Sequence, residues 1–313
     1  MTTRSITLSV VVLCATAGAA AEKKPVQIEM RNVRLHSDER ILLDVHRLRG
    51  TMISQTDAGV PIFDDSKSYI IDVAAAEIAV DITSLQNLMN EYVLAGEKAP
   101  LKEVQLAVKD GRIELKGKLH KGITVPFSAT TSVGVTDEGQ MKLHVESMKA
   151  VGVPAKGLLS LFGLQVADLM KLTKDGVTVS ENDIILDPGR IVPPPQIRGK
   201  LTKVAVTANG LLQTFGDPDT KRLAPLKKPS PTARNYIYFG HGVIRFGKLT
   251  MTDADLQLID ADPSDPFDFF PARYNDQLVA GYSKNTPEKG LKTYMPDYED
   301  VRRPARRLDK PSS

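Results

Sequence analysis

Between Leu101 and Leu172 the chain alternates apolar and polar residues through three long runs, then gives way to an almost continuously apolar stretch. Val104, Leu106 and Val108 alternate up to Asp110-Gly111, where glycine tolerates the positive φ of a hairpin turn. Ile113, Leu115 and Leu119 return, with Gly117 on their face. After Gly122, the residues Ile123, Val125, Phe127, Ala129, Thr131, Val133 and Val135 share one face over thirteen residues. A strand of that length spans roughly 40 Å at about 3.3 Å per residue, about twice the usual extent. Asp137-Glu138-Gly139 turns the chain again, and Met141, Leu143 and Val145 return with Lys142, His144 and Glu146 toward water. From Ala155 to Leu172 the pattern predicts a helix with only Gln165, Asp168 and Lys171 as a polar stripe. A helix hydrophobic all round is a buried one. Either the sheet covers it, or an apolar ligand does.

The chain opens with Arg4, an apolar run from Ile6 to Ala21, and Glu22-Lys23-Lys24. One positive charge, a short apolar core and an A-x-A site at Ala19 and Ala21 predict a cleaved secretory signal over residues 1–21. The run is short for a membrane span, which needs about 20 apolar residues. Cys14, the single cysteine, lies inside it, so cleavage leaves a chain without thiols or disulfides. That suits an exported, periplasmic or extracytoplasmic setting. A net charge of +3 gives no reason to expect nucleic acid. The last residues are unevenly basic, and Arg302, Arg303, Arg306 and Arg307 could meet anionic headgroups at about 1 kcal/mol per charge near such a surface.

Elsewhere, Ile28 and Met30, then Val33 and Leu35, then Ile41, Leu43 and Val45 alternate as strands, with a turn near Asp38-Glu39. Tyr69, Ile71 and Val73 alternate on one parity and Ile78, Val80 and Ile82 on the other. This switch around Ala74-Ala75-Ala76 predicts a bulge that bends the strand. Thr83 and Gln86 read as a capping box opening a helix over 83–95 that Gly96 closes. Gly216 to Arg234, rich in proline, reads as a surface loop. Tyr236 to Phe239 and Val243 to Ile259 read as two last strands. Beyond Asp262 the pattern is irregular, but Phe267, Phe269, Phe270, Tyr274, Tyr282, Tyr294 and Tyr298 make it too apolar to float free.

No cluster announces a reaction. Asp253, Asp255, Asp260, Asp262, Asp265 and Asp268 resemble a calcium segment only loosely, lacking the EF-hand glycine and closing glutamate, and aspartate also builds turns. Paired carboxylates in segment 253–268 could serve an envelope glycan hydrolase, but the separation that matters is spatial. The pairs Asp44/His46 and His144/Glu146 do not converge as three ligands. G-x-S-x-G and a glycine-rich loop opening a helix are both missing. No metal and no cofactor is expected.

With its capped helix, the meander containing "DGRIELKGKLHKGITVPFSA" and "DEGQMKLHVESMKAVG", and the second helix that follows, the stretch from Val26 to Gly216 resembles exported bacterial tubular lipid-binding (TULIP-like) proteins. It lies nearest the actinobacterial envelope proteins that bind phospholipid and support mannan assembly. The resemblance implies a highly curved antiparallel sheet around a long helix, a groove for acyl chains and no catalysis. The expectation is therefore an α+β fold. It has a lipid-binding-like domain over 22–262 carrying the 216–234 loop, and an irregular extension with a basic tail over 263–313. Function is expected to be non-catalytic binding or transfer of phospholipid or another long apolar ligand. Val125, Phe127 and Val133 of the long strand, with Leu158, Leu161, Phe162 and Leu169 of the second helix, are the expected groove residues. A glycan hydrolase and a structural scaffold with a filled core are the competing expectations.

Overall fold

The computed structural model describes residues 25–95, 99–121, 123–150, 166–169, 174–216 and 232–302. The chain begins with β1 (Val26–Asp38), β2 (Ile41–Ser54), β3 (Tyr69–Asp81) and α1 (Ile82–Leu88), which a π turn prolongs through Met89–Val93. Then follow β4 (Leu101–Lys109), β5 (Arg112–Lys121), β6 (Ile123–Val135), β7 (Met141–Ala150), α2 (Val166–Leu169), β8 (Val177–Ser180) and β9 (Asp183–Leu186). A turn of helix, α3 (Pro188–Ile191), leads to β10 (Gln196–Arg198), β11 (Leu201–Thr207), β12 (Gly210–Gly216) and β13 (Tyr236–Gly240). The remainder is β14 (Ile244–Phe246), β15 (Leu249–Met251), β16 (Asp255–Asp260), β17 (Phe267–Phe269), α4 (Tyr274–Ala280), β18 (Tyr282–Asn285), β19 (Leu291–Met295) and α5 (Tyr298–Arg302).

These strands make an eleven-stranded sheet, a six-stranded antiparallel sheet ordered β4-β5-β6-β7-β9-β8, and the β14–β15 hairpin. The large sheet runs β11-β12-β3-β2-β1-β13-β16-β19-β18, with β10 and β17 added in parallel beside β3 and β1. The apolar faces of the two larger sheets share one core. The expected α+β class, a curved sheet wrapped around helices, is therefore wrong. The protein is mostly strand, in several sheets, and its described helices are short. Among the described residues, the two sheets and the short α1 share that core, and no long helix lies between the sheets. Of the predicted helix over 155–172, Val166–Leu169 is helical and the rest lies outside the described residues, as do residues 1–21, expected to be a secretory signal. No helix among the described residues is long and apolar enough to cross a membrane.

The expected irregular C-terminal extension is also corrected. β17, β18 and β19 join the large sheet, and Phe267, Phe269, Phe270, Tyr274 and Tyr298 are buried. Strands of three to five residues are too short for alternation to be seen in sequence. Likewise the single strand expected over Val243–Ile259 is three, β14, β15 and β16, because Gly247, with φ 51°, turns the chain within it.

The long strands of the large sheet change parity partway. Val26, Ile28 and Met30 point into the core, and beyond Asn32 it is Val33 and Leu35. In β2 the change falls at His46-Arg47, and in β3 at Ala74-Ala75. Register shifts between β2 and β3 lie at His46 and Ala74, so the bulge predicted around Ala74–Ala76 is present. Strand partners also change there. β1 passes from β13 to β17, and β3 from β10 to β12. Bulges bend a strand and increase its twist, and that of β2 adjoins Asn32, where the β1–β2 register runs unbroken from Arg31↔Arg47 to Val33↔Val45. Gly50 and Gly216 flank the β3 bulge. A Cβ on Gly50 would collide with the Asp72 carbonyl, and one on Gly216 with the Ala74 carbonyl.

Gly50→Ala is accordingly expected to lose about 1–3 kcal/mol of stability from overpacking, read from the urea midpoint. An unchanged midpoint would show that the bend relaxes freely.

Candidate functional site

The space between the two large sheets is set by α1. Its N-cap is Asp81, whose carboxylate accepts from the Ser84 amide at 2.8 Å and the Ser84 hydroxyl at 2.9 Å. The Thr83/Gln86 capping box is thus replaced by a cap at the end of β3. Gln86 instead accepts from the Leu106 amide at 3.1 Å, and Asn90 brackets Val104 by accepting from its amide at 3.0 Å and donating to its carbonyl at 2.7 Å. These amides cover the edge strand β4, whose backbone would otherwise be open to pairing. On its other side α1 holds β2, where the Ser84 hydroxyl accepts from the Leu42 amide at 3.0 Å. Sequence reasoning found the helix but had no signal for its cross-sheet partners.

Leu85 and Leu88 of α1 and Met89 of the π turn face a cavity of about 70 Å³. Ile41, Leu43 and Leu211 line it from the large sheet, and Ile113, Leu115 and Leu143 from the small one. Gln213 is the one polar side chain of the lining among the described residues. This volume is less than half the roughly 150 Å³ of a dry cavity that takes benzene.

Three of the expected groove residues, Val125, Phe127 and Val133, lie on β6, in the small sheet. Phe127 is 2% exposed and packs in the core beside Gly117, while Val125 and Val133 are half-buried. The cavity is lined from the neighbouring β5 and β7. Leu158, Leu161 and Phe162 lie outside the described residues, and Leu169 ends α2. A second apolar opening, about 330 Å³, lies between the β14–β15 hairpin and α4, lined among others by Phe246, Leu249, Leu278 and Leu291.

The acidic segment separates into exposed turns and a buried polar cluster. His36 Nε2 lies 2.5 Å from Asp268 Oδ1, with the imidazole stacked on Phe270 and edge-on to Tyr298. The other Asp268 oxygen accepts from the Glu299 amide at 3.1 Å. Asp297 accepts from the Asp268 amide at 2.7 Å. Asn235 donates to Asp260 at 2.8 Å and to the Asp265 carbonyl, and accepts from Asn32 at 2.7 Å. Gln277 ties the Asp268 and Pro296 carbonyls, each at 2.9 Å. Burial, then the nearby charges of Asp260, Asp265 and Asp268, push the Asp297 carboxyl up to about 7 against the hydrogen bond from Asp268. Burial raises Asp260 as well. These side chains fasten the C-terminal strands to β1. None of the described residues groups three His, Cys, Asp or Glu side chains in a way that could hold a metal ion.

Comparison with known protein families, curated proteins and solved structures finds no match for this chain. The site is therefore read from its own chemistry. Exposed histidines have local acidic partners, His46 with Glu77 at 3.0 Å and His144 with Asp183 at 2.6 Å. Arg302 pairs with Glu299 at 3.1 Å, and Arg303, Arg306 and Arg307 lie outside the described residues.

Two variants test this geometry. Asp81→Ala is expected to cost about 1 kcal/mol as a lost cap in chemical denaturation, and Thr83→Ala close to none. The reverse order would restore the capping box. For Asp297, the folded-state carboxyl near 7 lies above its ordinary value of 3.8. The unfolded chain therefore ionises first, and stability falls as pH rises from about 4 through about 7. Asp297→Asn should raise the unfolding midpoint by about 2–4 °C at pH 8, with the gain vanishing near pH 4. A gain independent of pH would contradict this assignment.

Proposed function

We propose that the protein binds an acyl chain of a phospholipid, or another long apolar ligand, without catalysis, in the seam between its two large sheets. The observation that carries this reading is the lining of the inter-sheet cavity, where side chains from two sheets and α1 are apolar apart from Gln213. The leader-like residues 1–21 support a place in the cell envelope. Two of the acids proposed for glycan hydrolysis are engaged in holding the fold. Asp260 and Asp268 are buried and hydrogen-bonded to Asn235, His36 and backbone amides.

A cavity of about 70 Å³ admits only part of a long chain, so occupation requires the small sheet and α1 to move away from the large sheet. About ten buried methylenes, at about 0.8 kcal/mol each, would contribute about 8 kcal/mol toward that opening. The small volume favours the second reading, a scaffold with a filled core.

Native mass spectrometry and organic extraction of the purified chain distinguish them. Co-purified lipid is expected, and Leu115→Phe or Leu143→Phe, which fill the cavity, should reduce it about tenfold. Leu278→Ser in the surface groove should leave it unchanged. A lipid-free protein, or lipid indifferent to the filling variants, overturns the seam as the binding site.

A further inference from the structure

The outward face of the large sheet carries a feature that the apolar seam does not use. Where β1, β2 and β3 change parity, Arg31, Arg47 and Arg49 surround a pocket of about 120 Å³, together with Glu29 and the small residues Ala75 and Ala76. Arg31 and Arg47 stand directly opposite each other across the antiparallel pair. Like charges in that position are destabilising. The bulge at His46 brings Arg47 to the outward face, and a bulge re-aims side chains in this way.

The carboxylates nearby relieve the pair on one side only. Glu77 is shared by Arg47 at 3.1 Å and His46 at 3.0 Å. Glu29 accepts from the Tyr236 hydroxyl at 2.6 Å and lies 3.6 Å from Arg49. Arg31 forms no ion pair among the described residues and is exposed. Among the described residues the facing pair Arg31 and Arg47 thus has one ion-pairing carboxylate, Glu77, itself shared with His46, and the small Ala75 leaves room for a ligand.

We infer that this pocket binds a small oxyanion of the phosphate type, held between Arg31 and Arg47, with Arg49 supplying a third positive charge. Guanidinium forks match the oxygens of phosphate or carboxylate in bidentate fashion, and such charge-assisted bonds are the stronger ones. A bound oxyanion converts the Arg31/Arg47 repulsion into two attractions. Free phosphate and a phospholipid headgroup present the same chemistry. The site lies on the opposite face of the sheet from the apolar seam, so it stands or falls independently of that reading.

The test uses the full chain with inorganic phosphate as probe, against chloride at equal ionic strength, by calorimetry. Vesicles of phosphatidylcholine with and without phosphatidic acid are tested by co-flotation. Phosphate is expected to bind, with Arg31→Gln and Arg47→Gln each weakening it about tenfold. Glu77→Gln frees Arg47 and should tighten it several-fold, a gain that a misfolded variant could not produce. Binding lost in Arg31→Gln for phosphate alone assigns a free anion, and Arg31-dependent flotation on phosphatidic acid assigns a headgroup. Phosphate acting no differently from chloride together with no flotation, or binding that is the same in Arg31→Gln, overturns the site.

Discussion

The structure depends on one constraint, the change of parity that crosses β1, β2 and β3. In a strand, alternate residues face opposite sides, and a slip of one residue exchanges them. Without the steps at Asn32, His46 and Ala74, the apolar residues beyond them, Val33 and Leu35 in β1 or Ile78 and Val80 in β3, would face water. Each of these is buried in the core shared with the six-stranded sheet. The backbone takes on local strain to keep them there, with Asn32 in the left-handed region at φ 50° and two glycines where no Cβ fits.

The same change of parity organises the polar interior. Where β1 exchanges β13 for β17, Asn32 has left the regular ladder, and its side chain reaches Asn235 and through it Asp260. His36 and Asp268 then fasten β17 to β1. Buried polar groups are tolerated when they are hydrogen-bonded, and most of this cluster is. His36 Nδ1 is buried without a partner, and Asp297 holds its proton up to about pH 7. The aspartates that suggested chemistry in sequence are, in space, the fastening of the C-terminal strands.

The two faces at the bend differ in kind. Inward, apolar side chains of both sheets and α1 leave a small cavity. Outward, the bulge exposes His46 and Arg47 in succession, with Arg31 opposite Arg47 on β1. Reading the residues as separate patterns kept Arg31, Arg47 and Arg49 apart, because they lie on two strands and only register brings them together.

The amino-acid sequence by itself determined the local elements. Alternation placed β1 to β7 closely, Asp110-Gly111 and Asp137-Glu138-Gly139 marked their turns, and the triple alanine disclosed a bulge, since all of these depend on neighbours a few residues away. Only the tertiary structure decided that the two sheets and the short α1 share one core, and that the short C-terminal strands complete the larger sheet. It also decided that Asp81 and not Thr83 caps α1, that His36 meets Asp268, and that three arginines converge. Those outcomes rest on contacts between residues far apart in the chain, such as His36 and Asp268 at a separation of 232 positions. They depend on register and on which apolar face finds which cover, and no local pattern of residues encodes either.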